Sequence, residues 1–148
     1  MNHLKQLVVA SLLLLVMEGA LPGQKGAKGV PLELKGATAH CYKATAQGEL
    51  YLYVFRPQGD RQEKRPAAVF FFGGAWNGGT PKQFEEHASY LASRGMVGIV
   101  ADYRVKSRQG TSPFECVKDG KSAIRWVRGH AAELGIDPNR IAAGGGAA

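Results

Sequence analysis

The chain has 148 residues, 45% of them hydrophobic by type, and a formal net charge of +7 at neutral pH. That length suits one domain, and the apolar fraction is ordinary for a globular protein. The 20 glycines gather in loops and near the C-terminus without a period, which excludes heptad and collagen-like chains. Two cysteines, Cys41 and Cys116, do not make a disulfide framework, and no His or Cys pair has metal-ligand spacing. Neither a metal nor a cofactor is expected.

Residues 1–20 read as an export signal. One lysine, Lys5, precedes the continuous apolar core Leu7-Val8-Val9-Ala10-Ser11-Leu12-Leu13-Leu14-Leu15-Val16. The core is too short for a membrane span, which needs about 20 such residues, and fits a secretory h-region. A secreted or periplasmic location and no stable membrane span are expected from it. An uncleaved anchor or a core helix is the competing reading. Residues 21–36, rich in Gly and Lys with Pro22 and Pro31, read as a linker, and residues 37–148 as one folded domain.

Segments 37–45 and 49–55 read as a hairpin turning at Gln47-Gly48. Its second arm alternates Leu50, Leu52 and Val54 with Tyr51, Tyr53 and Phe55, the period of a strand. Residues 57–66 form a charged loop. The run Ala67-Ala68-Val69-Phe70-Phe71-Phe72 is continuously apolar, as in strands covered on both faces. Gly73-Gly74-Ala75-Trp76-Asn77-Gly78-Gly79 follows as a loop. Thr80-Pro81-Lys82-Gln83 then predicts a capping box with proline at the first helical position, and Phe84, Ala88 and Leu91 share a face before Gly95 stops the helix. Residues 96–101 form a second buried strand ending at Asp102-Tyr103-Arg104.

Ser112-Pro113-Phe114-Glu115 opens another helix with the same capping logic. Val117, Gly120, Ile124, Val127, Ala131 and Leu134 make its inward stripe by spacing. Residues 140–143 are a third short strand, followed by Gly144-Gly145-Gly146-Ala147-Ala148. Strands alternating with helices predict an α/β fold with right-handed crossovers and a mainly parallel sheet after the antiparallel hairpin. Ligands in such sheets gather at the carboxyl ends of the strands, where both glycine segments fall.

The excess charge does not point to nucleic acid. Lys118, Lys121, Arg125 and Arg128 form one helical stripe, best read as a solvated face, and no aromatic residues interleave with it for base stacking. A nucleotide-binding loop fits poorly, since Trp76 stands where phosphate needs room and no Gly-x-Gly-x-x-Gly has an acidic partner at the right distance.

Acyl transfer builds negative charge on a carbonyl oxygen, and backbone N–H groups aimed at it lower the barrier. Gly73-Gly74-Ala75 after a buried strand meets that need. A nucleophile elbow requires Gly-x-Ser-x-Gly on a strand-to-helix turn. Gly145-Gly146-Ala147-Ala148 supplies the glycine and the spacer, with Ala147 at the hydroxyl position.

Four segments together resemble the esterase/lipase group of α/β-hydrolases, the hormone-sensitive-lipase-like and feruloyl-esterase-like secreted acetyl esterases. They are residues 68–76, Ala101-Asp102-Tyr103-Arg104, residues 119–126, and Gly135-Ile136-Asp137-Pro138-Asn139-Arg140-Ile141. The resemblance implies that Gly74, Ala75 and Ala148 are oxyanion donors through their backbone N–H groups and that Ala147 stands at the nucleophile position. It implies bracing roles for Asp102, Arg104 and Asp119, and a small ester or an acylated polysaccharide as substrate. Phe72 departs from the pattern, replacing the histidine that opens the family's His-Gly-Gly-Gly loop.

The acid and histidine of the triad follow the nucleophile in this fold and are expected beyond residue 148. The chain is accordingly expected to be the N-terminal part of such a domain, inactive alone. His3, His40, His87 and His130 all precede the elbow, so none matches the triad base. A non-catalytic binding pseudoenzyme is the alternative, and Cys116 paired with a histidine a remote one.

Overall fold

The computed structural model describes residues 29–59 and 64–147. The expected signal at 1–20, the first part of the expected linker, and Ala148 lie outside the described residues. Among the described residues, five strands form one sheet: β1 (Ala37–Thr45), β2 (Gly48–Phe55), β3 (Arg65–Phe71), β4 (Val97–Ala101) and β5 (Ile136–Gly145). Their order is β1-β2-β4-β3-β5. β1 and β2 are the expected antiparallel hairpin, β2 meets β4 antiparallel, and β3 is parallel to both β4 and β5. The helices are α1 (Glu85–Ser93), α2 (Lys106–Gln109), α3 (Pro113–Gly129) and α4 (Ala131–Leu134), with a 3-10 turn at Pro81–Phe84 before α1.

The strand alternation sorts side chains onto two covered faces. Leu50, Leu52, Val54, Val69 and Ile99 pack with Ala123 and Val127 of α3 and with Leu134 of α4. Tyr53, Phe55 and Val100 pack on the other face with Ala88 and Ala92 of α1. Both faces being buried explains why β3 and β4 read as unbroken apolar runs. Leu34, within the expected linker, joins the α1 layer, and the Leu32 N–H donates to Tyr53 Oη at 2.9 Å. The end of that segment therefore packs on the sheet.

Three local expectations are corrected. The capping box at Thr80 does not form, since Thr80 makes no side-chain cap bond; Gln83 turns instead toward the loop after β3. The inward face of α3 is Cys116, Asp119, Ala123 and Val127. Its first half lies one position away from the expected apolar stripe, leaving Val117 51% exposed, whereas Val127, Ala131 and Leu134 are buried as expected. Burying Asp119 sets this phase, because its cationic partners lie on the core side. Finally, β5 begins at Ile136 rather than at 140. Arg65 pairs with Ile136 and Ala67 with Ile141, so the segment around Pro138, which has no N–H for the ladder, loops out of register. The capping box at Ser112 and Glu115 forms as expected.

Candidate active site

β3 and β5 run parallel, with Phe71 opposite Gly145, so the turns that follow them leave the same edge of the sheet side by side. Their backbones touch. A Cβ on Gly73 would lie 2.2 Å from the Gly146 carbonyl oxygen, a separation only glycine permits. Gly74 has φ +141, open to glycine alone at that cost. Its N–H donates to the Ala147 carbonyl oxygen at 2.9 Å, and the Ala75 N–H donates to the same oxygen at 3.4 Å. Two successive amides thus converge on one oxygen.

Three non-glycine residues here sit in the left-handed region: Ala75, Trp76 and Ala147, at φ 51, 55 and 37. Such conformations cost on the order of 1–3 kcal/mol each and persist only when the surroundings over-determine them. Of the expected donors, the structure brings Gly74 and Ala75 together beside Ala147, while Ala148 lies outside the described residues. Gly74 and Ala75 are exposed, whereas Phe72 and Gly73 are buried.

The surroundings of the first turn were largely unforeseen. The Gly73 N–H donates to Gln83 Oε1 at 2.6 Å, and the Tyr103 hydroxyl donates to the Phe72 carbonyl. The Tyr103 ring stacks on Phe72 with centroids 4.1 Å apart. Burial pushes the Tyr103 phenol up to about 12, so it stays a neutral donor. Arg108 forks onto both Asp102 carboxylate oxygens at 2.8 and 3.1 Å and lies 5.8 Å above the Phe72 ring. Further along the loop, the Lys106 and Ser107 N–H groups donate to the Trp76 and Asn77 carbonyls at 3.0 and 2.9 Å. Tyr103 was visible inside the Asp-Tyr-Arg segment. Gln83 carries the sequence signature of a helix cap, because a capping box and a long-range bond use the same side chain.

Beside the two turns opens a cleft of about 380 Å³, lined by Phe71, Trp76, Cys116, Val117, Gly146 and Ala147 among others. Burial pushes the Cys116 thiol up, and its Sγ–H donates to the Arg104 carbonyl at 2.9 Å. A protonated, engaged thiol is a poor nucleophile, so Cys116 is a wall of the cleft. Cys41 and Cys116 are both free. His40 and His130 pack on Trp126, and His87 lies against Phe84.

Behind the loop that carries Tyr103, Asp119 is fully buried. It accepts from Lys43 Nζ at 2.7 Å, from Arg104 Nε and Nη2 at 2.8 and 2.9 Å, and from the Arg104 N–H at 3.1 Å. Burial alone would raise its carboxyl, but the Arg104 fork and Lys43 outweigh it and hold it below the usual range. Asp102, Arg104 and Asp119 thus tie strand ends and helix together.

A mixed sheet in this order, with two glycine turns meeting at its carboxyl edge, is an α/β-hydrolase arrangement of the esterase/lipase type. The chain belongs to the BD-FAE family, whose profile matches residues 52–148. It is 36% identical over 100 residues to the AB hydrolase superfamily protein C1039.03 of Schizosaccharomyces pombe, covering 64% of this chain and 28% of that one. It is also 36% identical over 94 residues to the probable carboxylic ester hydrolase LipM of Mycobacterium tuberculosis, covering 63% and 21%. Among solved structures, the propionate-bound thermophilic esterase Est2 of Thermogutta terrifontis superposes with a TM-score of 0.75 at 50% identity. That superposition covers 78% of this chain and 43% of the esterase. The chain therefore spans less than half the length of these relatives, from 21% to 43%.

Proposed function

We propose that this domain supplies the oxyanion-binding half of a serine-type carboxylic-ester hydrolase site, with Gly74 and Ala75 as donors. The observation that carries this reading is the convergence of both N–H groups on the Ala147 carbonyl oxygen. That oxygen stands in for the substrate oxygen the amides would hold. In the reaction, a hydroxyl at position 147 would lose its proton to a base and add to the ester carbonyl carbon. The carbonyl oxygen would become an oxyanion facing the two amides, each worth roughly 2.7–4 kcal/mol of barrier. Collapse would expel the alcohol and leave an acyl-enzyme, which water would hydrolyse. Ala148, following the nucleophile position, would be the third donor by the family pattern.

Ala147 has no hydroxyl, and loss of a catalytic serine costs on the order of a millionfold in turnover. This chain is therefore proposed to turn over no ester above background. The apolar cleft beside Ala147 supports small esters or the acyl groups of acylated polysaccharides as substrate class, and the apolar stretch at 7–16 supports export to a secreted or periplasmic location. The test is a chimera in which this chain replaces the matching segment of the half-identical esterase. The account expects no p-nitrophenyl acetate turnover with Ala147 and clear turnover after Ala147→Ser. Equal activity of the two chimeras, or an inert but folded Ala147→Ser chimera, would refute it.

A further inference from the structure

We propose that Gln83 is a positioning residue that, with Tyr103, clamps the Phe72–Gly73 peptide and so sets the direction of the Gly74 and Ala75 N–H groups. The carbonyl and the N–H of that single peptide are each held by a side chain: Tyr103 Oη on the oxygen and Gln83 Oε1, at 2.6 Å, on the nitrogen. A planar peptide gripped at both ends cannot rotate. The next two amides are the ones that converge on the Ala147 oxygen.

Burial sharpens the consequence. Gly73 is buried, so its N–H cannot turn to water, and an unpaired buried donor is costly. Gln83 is held in place by the 3-10 turn Pro81–Phe84, whose Pro81 is buried. Without Gln83, the favourable way to satisfy the Gly73 N–H is to rotate the peptide. That rotation would redirect Gly74, which closes the loop by accepting from the Asn77 N–H at 2.9 Å.

The choice of side chain also fits the charge the site would meet. Glutamine accepts through a neutral oxygen. Glutamate could make the same bond, but it would place a full negative charge one residue from amides meant to hold an anion. The clamp thus predicts that geometry and anion binding can be separated by one substitution. Its functional meaning rests on the ester-hydrolase reading; its geometry does not.

The test uses the uniformly 15N-labelled chain, amide exchange at Gly73, and propionate as the anionic probe of Gly74 and Ala75. In Gln83→Ala, Gly73 exchange should quicken roughly threefold to tenfold, the equivalent of one hydrogen bond, while amides of β4 and α3 keep their rates. In Gln83→Glu, Gly73 should exchange as in the parent, yet propionate should bind several-fold more weakly. Tyr103→Phe, which keeps the ring stack, should shift the Gly74 and Ala75 resonances. Unchanged Gly73 exchange in Gln83→Ala would overturn the clamp, as would equal acceleration across β4 and α3, or still Gly74 and Ala75 resonances in Tyr103→Phe. If Gly73 responds as stated but the parent chain binds no propionate at Gly74 and Ala75, the clamp stands and the ester-hydrolase reading falls.

Discussion

Replacing Asp119 by asparagine should cost this protein more stability than any surface charge change. The carboxylate is fully buried and accepts four hydrogen bonds from two cations, at 2.7 to 3.1 Å. The asparagine side chain would keep the volume but lose the charge, and would turn an NH2 group toward Arg104 or Lys43. Removing one partner of a buried pair typically costs 3–5 kcal/mol. The Lys43 and Arg104 side chains retain 25% and 11% exposure, so part of their charge can relax into water and the lower end applies, about 3 kcal/mol. For a domain of this size that is a fall in Tm of roughly 10–20 °C. The pH dependence carries the same signature. Asp119 titrates below its ordinary range when folded, so its contribution is complete above the unfolded value near 4 and is lost as pH falls through the lowered folded value. Thermal melts by circular dichroism of the parent and Asp119→Asn at neutral pH, and again in acid, measure both effects. A change in Tm no larger than that of the exposed control Lys121→Gln, or a gap that widens in acid, would refute the reasoning.

Two further substitutions probe other parts of the account. Gly73→Ala places a methyl 2.2 Å from the Gly146 oxygen, so the turns must separate; the expected cost is about 1–3 kcal/mol, with faster amide exchange at Gly74 as the specific mark. His40 lies against Trp126, where burial first, then the charges of His130 and Arg56 against the opposing Glu133, hold its pKa below the ordinary histidine value. The unfolded chain therefore binds the proton more readily, and stability should decline as pH falls through about 6.5. Melts between pH 7.5 and 5.5 should show a smaller decline in His40→Asn than in the parent.

The parts of the fold that depend on local periodicity were legible before the structure. The hairpin alternation, the unbroken runs of β3 and β4 and the Ser112–Glu115 cap all report chemistry between residues close in sequence. The readings that failed depend on partners far along the chain. The apolar stripe holds from Val127 onward but mis-phases the first half of α3, because a buried aspartate looks like a surface residue until Lys43 and Arg104, 76 and 15 residues away, are seen to neutralise it. Gln83 looked like a cap because its acceptor serves Gly73, ten residues earlier. At the candidate site, the glycine turns were visible as composition and the meeting of the turns followed from parallel topology. Left-handed Ala75, Trp76 and Ala147 could not be read, since no residue type there favours that conformation.

The most direct measurement of the central claim is a propionate titration of the 15N-labelled chain. The account predicts that the Gly74 and Ala75 amide signals shift together and saturate, with Ala147 perturbed as its carbonyl yields its place and Gly73 nearly still on Gln83. Shifts confined to surface lysines and arginines, or none at Gly74 and Ala75 at any concentration, would contradict it.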